Sequence, residues 1–137
     1  MTTTWFIAKE YLKRLEMDFE EKGRKTFCIY PASRTYAEEI EVFPGTRWIT
    51  LTTRLLDMSD IHEDARAATC EQLLRANARL TEVSFGIDKK GHIILQNAIP
   101  VIGISYDAFS ATLEAHINGI RFFEKKMLPK LTASIER

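Results

Sequence analysis

The chain has no excess of charge. Nineteen Lys and Arg balance nineteen Asp and Glu. Domains whose main work is gripping nucleic acid carry a basic surplus to meet phosphate, so this balance argues against that class. Cysteine is scarce. Cys28 and Cys70 stand 42 residues apart, which excludes a CxxC redox pair and zinc-finger spacing. Both fall in apolar-patterned segments and read as reduced, buried thiols. No stretch approaches the roughly 18 uncharged apolar residues of a membrane span. Met1 to Thr4 carries no basic leader, and Lys9 and Glu10 break the apolar run that follows. The expectation is a cytoplasmic protein.

Signatures of catalysis are missing too. His62, His92 and His116 lie on separate elements without HxxH or HExxH spacing, so no metal is expected. There is no GxGxxG, no Walker A motif and no GxSxG elbow, so the expectation is no cofactor and no enzyme. Glu38, Glu39 and Glu41 cluster on one segment, where Glu39 and Glu41 share a face suited in principle to acid–base work. No His accompanies them, and a solvated sheet face with aggregation-resisting charges is the better account. They still support an alternative: a small-ligand binder or enzyme with a pocket between helices and sheet.

What is present suits one folded domain over residues 1–137. The chain is 45% hydrophobic with eight Phe, enough for a core without staples. Trp5, Ala8, Leu12, Leu15 and Phe19 recur at three- and four-residue spacing and predict a helix over 4–22, capped by Thr4 and ended by Gly23. A strand follows at 26–30, then a loop over 32–35. Alternation predicts strands over 36–43 and 47–55, joined by the Pro44-Gly45 turn. Ser59 or Asp60, with Glu63, resembles a capping box for a second helix to about residue 79, with Ala67, Cys70, Leu74 and Asn77 aligned. Asn77, polar beside an apolar face, reads as a satisfied loop-bonding group. Val83, Phe85 and Ile87 point inward on a strand that turns through Asp88 to Gly91 and returns from His92. Ser105 caps a last helix striped by Phe109, Leu113, Ile117, Ile120 and Met127, with Pro129 at its end. Gly119 inside it predicts a close contact.

The order is helix, three strands, helix, two strands, helix: an α+β fold with an antiparallel sheet packed by helices. Trp5, Phe6, Trp48 and Arg54 are the candidate partner-binding residues, because aromatics and Arg are enriched at interfaces. Small side chains on the middle helix permit close approach, which makes Ala67, Cys70, Leu73, Leu74 and Leu80 the candidate seam of a homodimer.

This order resembles that of the class I type III secretion chaperones, the CesT-like group, and of the YbjN-like bacterial proteins. Leu73-Leu74-Arg75-Ala76-Asn77-Ala78 resembles the end of the family's middle helix. Phe85-Gly86-Ile87-Asp88 with Gly91, Ile93 and Leu95 resembles its hairpin, and Pro100, Gly103-Ile104-Ser105 and Phe109 its approach to the last helix. The element order matches over about 4–131, the residues over about 73–109. The resemblance implies a homodimer that binds a polypeptide client or regulatory protein by groove burial and strand addition, without catalysis. Secretion chaperones are typically acidic. The neutral balance here leans towards the YbjN-like side.

Overall fold

The computed structural model describes residues 2–31 and 39–132. Helix α1 spans Thr3–Arg14, and the Thr2 hydroxyl accepts from the Trp5 backbone N–H at 3.1 Å. Thr4, the expected cap, is buried inside the first turn. The helix ends earlier than its spacing suggests. Glu16 takes a left-handed φ of 57°, and strand β1 (Phe19–Lys22) follows. Phe19 therefore reaches the core from a strand, stacking edge-on against Phe27 at 5.8 Å. Gly23, with φ 63°, turns β1 into β2 (Thr26–Ile29) instead of closing a helix. Strands β3 (Ile40–Pro44) and β4 (Trp48–Asp57) complete a meander. The expected loop 32–35, and residues 36–38 of the expected second strand including Glu38, lie outside the described residues.

Four strands thus precede the second helix, one more than expected. Strands β5 (Ser84–Ile87) and β6 (His92–Pro100) join them in one sheet of order β1-β2-β3-β4-β6-β5, every neighbour antiparallel. The α+β fold class stands, and the sheet is six-stranded.

Helix α2 covers Arg66–Arg79. Two short 3-10 turns precede it, Met58–Asp60 and Glu63–Ala65, capped by Asp57 and His62 rather than by Ser59 or Asp60. Ile61 is fully buried between them, and that anchor breaks the helix the capping-box pattern would have started. Ser59 is itself spent on Asp57, to which it gives its N–H at 3.0 Å and hydroxyl at 2.8 Å. These bonds, the N–H first, hold the Asp57 carboxyl below its ordinary pKa. The buried face of α2 carries Thr69, Leu73 and Ala76; Ala67 and Leu74 face outward. Asn77 closes a bond pair with β5, accepting from the Phe85 N–H at 2.6 Å and donating to its carbonyl at 3.0 Å.

Helix α3 (Tyr106–Phe122) is capped by Ser105, as its sequence predicts. It passes through a π-helical turn, Phe123–Met127, into α4 (Leu128–Thr132). Pro129 does not end the helix. It falls in the first turn after the widened π segment, where its missing N–H is tolerated.

Helices α1 and α3 pack on the inner sheet face. Alternate strand residues meet them there, among them Phe27, Ile29, Ile40, Val42, Ile49, Leu51, Leu95 and Ile99, opposite Leu12, Phe109, Leu113 and Ile120. At Gly119 a Cβ would stand 2.8 Å from a Leu95 methyl and 3.0 Å from a Val83 methyl, which is the close contact its position predicts. Ile87, expected inward, is 46% exposed at the end of β5. His116 is fully buried in this core. Its Nε2 lies 2.7 Å from the Thr53 hydroxyl and its Nδ1 2.9 Å from Asn97 Oδ1, while Asn97 donates to the Thr112 carbonyl. Burial among uncharged partners lowers its pKa from 6.5 to about 4.

Candidate functional site

Among the described residues, helices α1 and α3 pack on one sheet face and leave the other exposed around Phe43 and Trp48. The same alternation that sends Val42 and Ile49 inward sends Phe43 and Trp48 out, 44% and 51% exposed. Phe43 pairs with Thr50, which pairs with Ala98; Trp48 pairs with Pro100. Phe43, Trp48, Ala98 and Pro100 therefore gather at one corner of the sheet, with same-face diagonal neighbours about 7–8 Å apart. Arg54 shares the face but not the corner. It pairs with Ile94, six residues along β4 from Trp48, a span of about 20 Å at strand rise. Thr52 lies between them, flanked by Glu41 and Gln96. Phe43 was not singled out from the sequence. The Glu41–Phe43 alternation was the available signal.

Behind this corner is a pocket of about 510 Å³ between the start of α1, the β1–β2 turn and the β3–β4 turn. Trp5, Phe43 and Pro44 supply its apolar lining, Arg24 and Lys25 its charge. Trp5, expected at a partner surface, is 3% exposed and packs on Phe27 at 5.1 Å. Its indole N–H is buried and has no acceptor among the described residues. Phe6 is 56% exposed, on a different side of α1, in a shallow groove with Ile7, Lys9 and Lys13. The Lys9 ammonium sits 5.0 Å from the Trp5 ring and 2.6 Å from Glu21, tying α1 to β1.

The two sheet edges differ. At β5, Asn77 occupies the free N–H and carbonyl of Phe85. At β1, the outward edge has no strand partner among the described residues, and Glu20, Glu21 and Lys22 make it charged. Cys28, in the row between Glu20 and Glu41, is buried. That burial, then the Glu39 carboxylate, raises its pKa, so the thiol is held in its protonated, inert form. Cys70 is only half-buried. Glu39 pairs with Lys22 at 3.4 Å, and Glu41 is exposed on the open face; the two do not converge on a cavity. Of the seam residues, Ala67, Cys70 and Leu74 share the outward side of α2, with Leu74 70% exposed, whereas Leu73 is core and Leu80 is packed against it.

Among the described residues, helices clothe one side of the sheet and Phe43 and Trp48 stand exposed on the other. The chain belongs to the Tir chaperone protein (CesT) family, whose profile matches residues 44–123, from the β3–β4 turn through α3. No curated protein matches it. Among solved structures it is similar to YbjN of E. coli, described as a putative transcription regulator, at 12% identity and a TM-score of 0.68, over 85% of this chain and 84% of that one. It is similar to a chain of the heterodimeric ExoU–SpcU complex from the type III secretion system of Pseudomonas aeruginosa, at 15% identity and a TM-score of 0.64, over 93% and 96%. It is also similar to a chain of the Yersinia pestis type III secretion chaperone SycH bound to a fragment of YscM2, at 13% identity and a TM-score of 0.58, over 86% and 97%. At such identities these likenesses establish a shared fold.

Proposed function

We propose that residues 1–137 form one domain that binds polypeptide without catalysis, as a homodimer in the cytoplasm, with a client or regulatory protein as partner. The observation that carries this reading is the exposed Phe43 and Trp48 corner of the sheet, together with a β1 edge that has no strand partner among the described residues. An extended segment can add its backbone to such an edge, and apolar side chains of a bound polypeptide can cover such a corner. Family membership and the complexes formed by structural neighbours support the same use of the fold. The outward α2 stripe of Ala67, Cys70 and Leu74 is the proposed dimer seam. The test compares partners co-purifying with the native chain and with a Phe43→Ala/Trp48→Ala variant of unchanged melting temperature. Loss of a specific partner supports the reading; an unchanged set of partners overturns this surface. Light scattering that shows a strict monomer at high micromolar concentration overturns the dimer.

A further inference from the structure

A cleft of about 440 Å³ lies between α2 and the π turn and α4, and it shares no lining residue with the open sheet face. Arg75 and Arg79 enter it from α2, and Lys125, Lys126 and Lys130 from the other wall. Among the described residues, no Asp or Glu lines it. All five cations are exposed, and Glu71 offsets Arg75 through an ion pair at 3.0 Å. Helix C-termini attract one or two cations each, which explains Arg79 and the lysines of the π turn taken singly. It does not explain two such clusters facing one another. Two like charges about 8 Å apart repel by about 0.5 kcal/mol even in water, and five in one cleft multiply the pairs. The lower walls are apolar, built by Phe122, Met127 and Pro129. The π turn widens the helix at the position where Lys125 and Lys126 flank the opening, and such turns recur at functional sites.

We propose that this cleft docks an acidic stretch of a polypeptide partner, punctuated by apolar residues. Charge complementarity selects the carboxylates, and the apolar walls select the residues between them. A nucleic acid fits less well: the chain as a whole is neutral, and Phe122 is half-buried rather than a platform for stacked bases. The proposal rests on the polypeptide-binding reading for the class of its occupant, but on separate residues.

The test uses the full chain and three fluorescein-labelled probes: a blocked dodecapeptide alternating Glu with Leu and Phe, the same peptide with Gln for Glu, and a twelve-nucleotide oligothymidylate. Anisotropy at 50 and 300 mM NaCl should show the Glu peptide binding at least tenfold tighter than the Gln peptide, and weakening with salt. Arg79→Glu/Lys126→Glu should cost at least tenfold, and Lys125→Gln/Lys130→Gln, a milder pair should the reversal fail to fold, several-fold. Equal binding of both peptides, indifference to both cation variants, or no binding of the Glu peptide overturns the proposal. So does tighter binding of the oligonucleotide that the same reversal abolishes. In each of these outcomes partner loss on the sheet-face variant would remain, so failure of the cleft is separable from failure of the open face.

Discussion

The two tryptophans sit on opposite sides of the same sheet. Trp5 belongs to the clothed side, 3% exposed on the inner face of α1 with its ring tilted against Phe27; Trp48 belongs to the other side, 51% exposed beside Pro100. The residue type is identical, so the difference lies in what the neighbours do. On the clothed side α1 and α3 supply a second layer, and an indole there removes its whole surface from water. Around Trp48 no second layer is supplied by the described residues, and half of an indole stays wet at a cost that a partner could recover. The largest contrast follows directly. Trp5→Ala should cost about 3–5 kcal/mol through lost burial and the cavity left behind. Trp48→Ala should cost under about 1 kcal/mol, as surface changes do. Urea unfolding of the two variants checks this. Equal losses would show that the open face is packed in solution and would end the comparison.

A second effect belongs to the clothed side alone. His116 is held neutral, with its pKa lowered to about 4 by burial. A folded pKa below the unfolded 6.5 means that the native state resists protonation. Its contribution is complete above pH 6.5 and is lost as pH falls from there towards 4. The full loss is roughly 3 kcal/mol at 1.36 kcal/mol per unit. Its two side-chain partners, Thr53 and Asn97, carry no charge to offset it. Unfolding midpoints at pH 7.0 and 4.5 should separate widely for the native chain and much less for His116→Gln. The same separation in both would place the acid sensitivity elsewhere.

These contrasts also show what the sequence could carry. Alternation along β4 put Ile49 and Leu51 on one side and Trp48 and Arg54 on the other, and the structure keeps that division. The cap at Ser105, the contact at Gly119 and the bonded Asn77 were equally legible, because each depends on neighbours or on one residue's chemistry. Three features were not. The spacing from Trp5 to Leu15 runs on to Phe19 by coincidence, while Glu20–Lys22 also suits a strand, and only pairing with β2 decides. On α2, small side chains pointed to one seam of Ala67, Cys70, Leu73, Leu74 and Leu80, whereas the core takes Leu73 with Thr69 and Ala76 and leaves Ala67 and Leu74 outward; small residues make both faces of that helix read alike. The basic cleft joins residues near 75 to residues near 127, a distance that no local pattern spans.

The edges permit a smaller test. Asn77→Ala would leave the Phe85 N–H and carbonyl without their partners, at about 1–3 kcal/mol for groups only partly buried. It would also make the β5 edge resemble the β1 edge. Gly119→Ala should cost about 1–2 kcal/mol, since strain against Leu95 and Val83 outweighs the better helix propensity of Ala. Thermal melts read both costs. Concentration-dependent association should follow Asn77→Ala and not Gly119→Ala. If both associate alike, the asymmetry between the edges has no role in keeping the chain from pairing with itself.

The smallest expected change in the isolated chain comes from the outward side of α2. Leu74 is 70% exposed, so Leu74→Asp should move the unfolding free energy of a monomer by about 0.5 kcal/mol or less. In a dimer joined along Ala67, Cys70 and Leu74 the same change buries a charge without a partner, which is costly. The two circumstances give opposite results from one substitution. Light scattering on Leu74→Asp should show half the native mass, with far-UV circular dichroism unchanged. An unaltered dimer would exclude Leu74 from the seam, leaving the open sheet face or the β1 edge as the surface where two copies meet. That result would matter for the comparison of the two faces, because a dimer formed through Trp48 would clothe the bare side with a second copy rather than with a client.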